Sequence, residues 1–264
     1  MPELAEVAYF VQRWNPGLGQ RILEVQLHPR ARIFRGQDTG KLVQAIGKTR
    51  LVESMTRGKQ MLFCFEKATL GLHLGMTGEL RCEPGNFQPA KHDHLVLKQR
   101  DRSLVFSDPR LFGRVLFEPG PQLPEWWQLL PPDLLGKAFL PSNTARFLQR
   151  RARAPIKGVL LMQECFPGIG NWMADEILWR SGLHPAKPAG QIEGPAAIAL
   201  HHKIRKVCRE AMDTIGKDWS DPPDSWLFNH RWKRGGHCPR CLSALLRETI
   251  AGRTTCWCPS CQQG

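Results

Sequence analysis

Between residues 21 and 119 the chain carries seven short apolar runs in succession: RILEVQLH (21–28), RLVESMT (50–56), KQMLFCFE (59–66), ATLGLHLGM (68–76), HLVLKQ (94–99), SLVFSD (103–108) and GRVLFEP (113–119). Turn signals such as Thr77-Gly78 and Pro84-Gly85-Asn86 separate them. Short strands that follow one another without intervening helices bury their apolar faces in an antiparallel sandwich or barrel. Ahead of them, Leu4, Val7, Val11 and Trp14 recur every three to four residues until Asn15-Pro16-Gly17, which predicts an N-terminal amphipathic helix with Pro2 at its start. Beyond them, the proline-rich stretch 119–141 reads as an interdomain linker. The period then becomes helical. A helix is expected over 156–164, a break at 166–170, and a second helix capped by Asn171 that runs to Ser181 and ends at Gly182 and Pro185. A third, over 195–215, carries Ile198, Ile204, Val207, Ala211 and Ile215 on one face. The expected class is α+β, an N-terminal antiparallel β-sandwich with flanking helices followed by a helical domain.

The charge balance narrows the partners. Lys and Arg number 37 against 24 Asp and Glu, a formal +13, which favours a polyanion such as nucleic acid over an acidic small molecule, with membrane lipid as the rival. No stretch approaches the roughly 20 apolar residues of a membrane span, and the acidic MPELAE start lacks the layout of a signal peptide, so a cytoplasmic location is expected. Of nine cysteines, Cys238, Cys241, Cys256, Cys258 and Cys261 crowd into the C-terminal segment. CPRC (238–241) and CPSC (258–261), separated by 16 residues, have the spacing of a four-thiolate zinc site on a hairpin. Cys238, Cys241, Cys258 and Cys261 would fill every coordination position, making the zinc structural. A redox pair is the alternative, and Cys256 is a competing ligand, although only Cys258 keeps the two-residue gap to Cys261. Arg247 and Arg253 within the hairpin, and Arg231, Lys233 and Arg234 ahead of it, are expected to meet phosphates rather than to form an ordinary solvated basic face.

Three stretches in order, MPELAEV, IKGVLLMQECFPGIGNWMADEILWRSGLHP (156–185) and CPRC…RTTCWCPSCQ, resemble the formamidopyrimidine-DNA glycosylase family, which also includes the endonuclease VIII type. Leu4 after Glu3, with Met76, Arg110 and Phe112, brings the chain closer to the formamidopyrimidine type. The resemblance implies a β-sandwich, a helix–two-turn–helix module and a zinc-finger hairpin, divided as 1–130, 131–234 and 235–264. It implies base-excision repair by a bifunctional glycosylase and abasic-site lyase that removes oxidised purines from duplex DNA by β,δ-elimination, working as a monomer.

Within that resemblance Pro2, freed of Met1, is the nucleophile that forms an iminium with C1′. An α-amine titrates near 7.7–8.0 against about 10.4 for lysine, so a useful fraction is unprotonated near neutrality. Glu3 would shuttle protons to the sugar oxygen or the departing base, and Glu6 would orient the site. Lys59 matches the basic residue at the lesion phosphate and is also a rival amine. Lys157, Asn171 and Arg253 match phosphate contacts; His73 is either a further one or a satisfied sheet histidine. Met76, Arg110 and Phe112 match the side chains that fill the gap left by an extruded base, although without the resemblance Met76 and Phe112 would read as core.

The chain also departs from the family pattern. Ala5 replaces a second proline, Trp172 stands where an Ile-Tyr pair usually begins, and the segment before Cys238 is shorter than the loop that covers 8-oxoguanine. The shorter segment argues against a preference for 8-oxoguanine over formamidopyrimidines or oxidised pyrimidines, whereas Ala5 removes no reactive group. An endonuclease VIII-like preference for oxidised pyrimidines, and a non-catalytic lesion-binding protein, are the alternatives.

Overall fold

The structure is a computed structural model that describes residues 1–232 and 235–263. Lys233 and Arg234, two of the expected phosphate contacts, lie outside the described residues. The chain forms two compact units, one of residues 1–2 and 6–130, the other of residues 3–5 with the described residues from 131 on.

The first unit is a β-sandwich. One antiparallel sheet has the order β1-β6-β7-β5, from Glu24–Leu27, Asp93–Lys98, Arg102–Ser107 and Glu79–Pro84. The other runs β2-β3-β4-β8, from Leu51–Arg57, Gln60–Phe65, Ala68–His73 and Arg114–Pro119. Phe63, Phe65, Leu70 and Leu72 from one sheet and Leu95, Leu97, Leu104 and Phe106 from the other share a single core. Helix α1 (Leu4–Gln12) adds Val7 and Val11 to it. Trp14, just beyond, lies 4.6 Å from Phe63 between ring centres, and its Nε1 donates to Val105 O at 3.2 Å.

Two expectations fail here. A helix, α2 (Thr39–Ile46), does interrupt the strand series; Asp38 caps it by accepting the Lys41 N–H at 3.0 Å, and Leu42 and Ile46 bury its inner face. Strand β5 is an addition. Its ELRCEP sequence offers only Leu80 and Cys82 to the core, while Arg81 on the other face pairs with Glu79, Glu83 and Asp93. Within 119–141, Glu125–Gln128 forms a one-turn helix, α3, whose Trp127 packs on Leu62 and Cys64.

The second unit is helical, with α4 (Pro141–Arg150), α5 (Ile156–Leu160), α6 (Asn171–Ser181), α7 (Gly194–Asp213) and α8 (Ile215–Asp218), and ends in the hairpin β9 (Leu246–Ile250) and β10 (Arg253–Trp257). Leu4 and Ala5 belong to its core, with Phe166, Ile169, Met173 and Ile177. Helix α4 escapes the sequence pattern, because of its ten residues only Thr144, Phe147 and Leu148 are buried. Helix α5 stops four residues short of the expected end, since Gln163 is used to build the following turn. Asn171 is not a cap. Gly170 occupies that position and the helix starts at Asn171, whereas the expected stop at Gly182 holds, with φ 66°. The buried face of α7 runs through Ala197, Leu200, Ile204, Val207 and Ala211; Ile198 points outward, 47% exposed.

Candidate active site and nucleic-acid interface

The residue after Pro2 is firmly anchored. Glu3 is 3% exposed, and its carboxylate accepts three backbone N–H groups, from the residue that caps α6 and from the helix's first turn. Oε2 takes Gly170 N at 2.9 Å and Met173 N at 3.1 Å; Oε1 takes Trp172 N at 2.9 Å. Backbone donors at a helix N-terminus are left without intrahelical partners and favour an anion, so the carboxylate satisfies groups that would otherwise lack a partner. The break at 166–170 is shaped for this contact. Gln163 Oε1 accepts Gly168 N at 3.0 Å, its Nε2 donates to Ile169 O at 2.8 Å, and Gly168 O receives Leu4 N at 3.0 Å. Gly170 is required by proximity, because a Cβ there would stand 2.3 Å from Glu3 Cδ. Trp172, which departs from the family pattern, is buried edge-to-face against Phe228 at 5.0 Å.

In the first unit Lys59 occupies the two-residue turn between β2 and β3, beside Gly58 at φ 60°, and is 7% exposed. His73, at the end of β4, accepts the Gly75 N–H on Nδ1 at 3.0 Å. Burial, followed by the Lys59 charge, pulls its pKa below the usual histidine value. The neutral ring therefore carries its proton on Nε2, which makes that nitrogen a donor.

Met76, Arg110 and Phe112 come together through the backbone. Gly75, at φ 62°, lies so close to the 112–113 segment that a Cβ would stand 2.4 Å from the Phe112 carbonyl carbon. Asp108, fully buried, ties both loops. It accepts Thr77 Oγ1 at 2.9 Å, Arg110 N at 3.2 Å and Gly113 N at 2.7 Å. The Arg110 guanidinium lies 4.8 Å over the Phe112 ring, while Met76 and Phe112 are 40% and 48% exposed. Met76 and Phe112 thus leave large apolar side chains exposed, on loops tied by a buried carboxylate.

The four expected thiols also converge. The Sγ atoms of Cys238, Cys241, Cys258 and Cys261 lie within 4.8 Å of one another, with 238–261 at 3.8 Å and 241–258 at 3.5 Å. A tetrahedral ion with metal–sulfur bonds of about 2.3 Å has S···S edges of about 3.8 Å, so the cluster fits a metal. Cys256 is not one of the four converging thiols, although it packs beside Cys238 and Cys258; its backbone N–H donates to Asp175 Oδ2 at 3.1 Å, and burial pushes its thiol up to about 11.

Comparison with known proteins agrees with this arrangement. Residues 1–115 match the formamidopyrimidine-DNA glycosylase N-terminal domain and residues 130–221 the H2TH domain of the same enzymes. The formamidopyrimidine-DNA glycosylase of Roseiflexus sp. is 33% identical over 100% of both chains; that of Thermus thermophilus is 35% identical over 99% of this chain and 98% of its own. The chain belongs to the formamidopyrimidine-DNA glycosylase family. Among solved structures, the Lactococcus lactis enzyme bound to DNA containing an oxidised pyrimidine matches with a TM-score of 0.88, 27% identity and 100% coverage of both chains. The same enzyme with abasic-site DNA matches with a TM-score of 0.87 and 26% identity over 99% of this chain and 100% of its own.

Two of the expected phosphate contacts do not suit the positions this family member gives them. The Lys157 side chain is fully buried, and its Nζ donates to Asp175 Oδ1 and, at 2.7 Å, to Asn171 O. Burial pulls its pKa below the usual lysine range, against the opposing pull of Asp175. Arg231, 6% exposed, gives Nε at 3.1 Å and Nη2 at 2.6 Å to Asp175 Oδ2. Both cations are spent on one carboxylate that sequence reading did not single out. A lysine and an aspartate 18 residues apart carry no periodic signal of pairing across two helices. Asn171 is half-buried, with Nδ2 donating to Thr254 O at 2.8 Å, and Arg253 is exposed on β10.

Proposed function

We propose that this chain removes oxidised purines, formamidopyrimidines foremost, from duplex DNA through an iminium on Pro2. As a formamidopyrimidine-DNA glycosylase it is a base-excision repair enzyme with glycosylase and abasic-site lyase activity. The observation that carries the reading is the Glu3 carboxylate held by three backbone N–H groups at the N-terminus of α6. It fixes the residue next to the attacking nitrogen on a rigid element.

In the proposed reaction the neutral Pro2 amine attacks C1′ of the damaged nucleotide. The C1′–N bond forms as the bond from C1′ to the base breaks, and the base leaves with that electron pair. The proton released by the amine neutralises the departing base; Glu3 then delivers a proton to O4′ as the C1′–O4′ bond breaks, and the nitrogen lone pair forms the C=N bond of the iminium, leaving O4′ as a hydroxyl. β-Elimination and then δ-elimination expel the two phosphates, and hydrolysis frees Pro2. Met76, Arg110 and Phe112 fill the gap left by the extruded base, a step that costs a few kcal/mol and so needs a plug. Lys59, His73, Asn171 and Arg253 contact the DNA backbone.

The cysteine cluster is proposed to hold one structural zinc, and the segments 1–130, 131–234 and 235–264 to act as catalytic, helix–two-turn–helix and zinc-finger parts. A cytoplasmic location suits this work; among the described residues no helix is long and apolar enough to cross a membrane. In place of a long covering loop, residues 214–230 are tied down, with Trp226 in the core and Asn229 Nδ2 donating to Pro222 O at 2.7 Å. That constraint supports the lower ranking of 8-oxoguanine.

Borohydride trapping on abasic-site duplex tests the nucleophile. Protein shown by intact mass to lack Met1 is expected to yield a covalent adduct, and protein retaining Met1, whose Pro2 nitrogen is an amide, is expected to yield none. Lys59→Ala with a free Pro2 should still trap. Trapping that persists with Met1 attached and vanishes in Lys59→Ala would transfer the chemistry to Lys59, and no adduct from any form would leave only a lesion-binding protein.

A further inference from the structure

Asp175, in the second turn of α6, is 1% exposed and fully engaged. Its carboxylate accepts four hydrogen bonds: one on Oδ1, from Lys157 Nζ, and three on Oδ2, from Arg231 Nε, Arg231 Nη2 and Cys256 N. These donors come from α5, from the segment that leads to the hairpin, and from β10. Lys157 also grips the carbonyl of Asn171, and Asn171 Nδ2 reaches Thr254 O.

A buried cluster of this kind contributes little net stability over a well-packed apolar replacement, because desolvation offsets the Coulomb gain. Its specific product is geometry. Asp175 stands four residues after Asn171 on the same helix, and its bond to Cys256 N fixes the strand that carries Arg253 three residues earlier. Arg253 is exposed and gains no register from packing of its own.

We propose that Asp175 is a positioning residue, which locks β10 to the first turn of α6 so that Asn171 and Arg253 present their N–H groups to the same DNA phosphate. This rests on the glycosylase reading above and deepens it.

The test uses full-length, metal-loaded protein and a duplex with a tetrahydrofuran abasic analogue, titrated across a salt series. Asp175→Asn is expected to keep its metal stoichiometry, to bind about tenfold or more weakly, as expected when a charge-assisted hydrogen bond is lost, and to show a salt slope shallower by about one. A purely structural defect would not change the number of phosphates counted. Combined with Arg253→Ala, it should weaken binding no further than Arg253→Ala alone, because both changes remove one contact. An unchanged slope, or losses that add in full, overturns the proposal. Should Asp175→Asn lose metal or fold, Arg231→Gln, which removes both guanidinium bonds to Oδ2, is read in the same way. Wild-type protein without preference for the abasic duplex brings down both readings, whereas wild-type preference with additive losses brings down only the positioning role.

Discussion

At the scale of single residues, what matters is how little room the Glu3 carboxylate has. Its three donors are the backbone N–H groups of Gly170, which caps α6, and of Trp172 and Met173 in its first turn, and the α-carbon of Gly170 lies against it. Gly170→Ala is therefore expected to displace the carboxylate from its seat without changing its chemistry. Loss of a positioned acid–base group costs about 10²–10⁴ in rate. Single-turnover excision from a formamidopyrimidine duplex should fall by at least about 10²-fold, while Kd for the abasic analogue changes little. Excision at the wild-type rate would show that the anchored geometry is dispensable. The N-terminal motif singles out Pro2 and Glu3 as candidates, but nothing in it signals the three backbone N–H groups that hold the Glu3 carboxylate. Lys157 and Arg231 were misread for a similar reason: a basic residue carries no local mark of whether it faces solvent or a buried aspartate from another segment.

Among the elements, legibility followed the strength of the apolar pattern. The central strands β3, β4, β6 and β7, buried along most of their length, were evident. Strand β5 and helix α4 were not, since each gives the core only two or three side chains and presents charge elsewhere. The terminal hairpin shows a further dependence. Four of the five residues of β9 are exposed, and the cluster beneath the hairpin is small, comprising Trp179, Leu227, Leu245 and the cysteines. So little apolar burial cannot hold two strands in register, whereas a structural metal contributes about 10–16 kcal/mol of apparent binding energy. Chelation is thus expected to unfold the hairpin and abolish DNA binding while the sandwich, whose core contains none of these cysteines, keeps its melting transition. Near-ultraviolet dichroism and calorimetry on the stripped protein would show this as loss of one transition. A simultaneous loss of both would mean that the sandwich depends on the metal.

For the molecule as a whole, the +13 charge is a standing cost to compactness, and the histidines set how that cost grows with acidity. His73, His94 and His201 are all held below the ordinary histidine value, each first by burial. His201 is the extreme case. Its Nδ1 lies 3.0 Å from Thr144 Oγ1, its ring lies 4.6 Å from Phe139, and burial with the Arg205 and His202 charges brings it to about 4. When a folded-state base titrates lower than its unfolded counterpart, the unfolded chain binds protons over the interval that the folded chain refuses. Stability is then complete above the unfolded value of 6.5 and declines as the pH falls towards 4. Melting temperature should therefore drop steadily on acidification from neutrality, and His201→Asn, which cannot titrate there, should flatten the descent. The effect opposes the tighter hold on DNA that added positive charge would bring, so binding and stability are expected to move in opposite directions across this range. A melting temperature that held or rose between pH 6.5 and 4 would mean that the unfolded chain does not take up the extra protons, and that His201 is not kept neutral by the packing of α4 against α7.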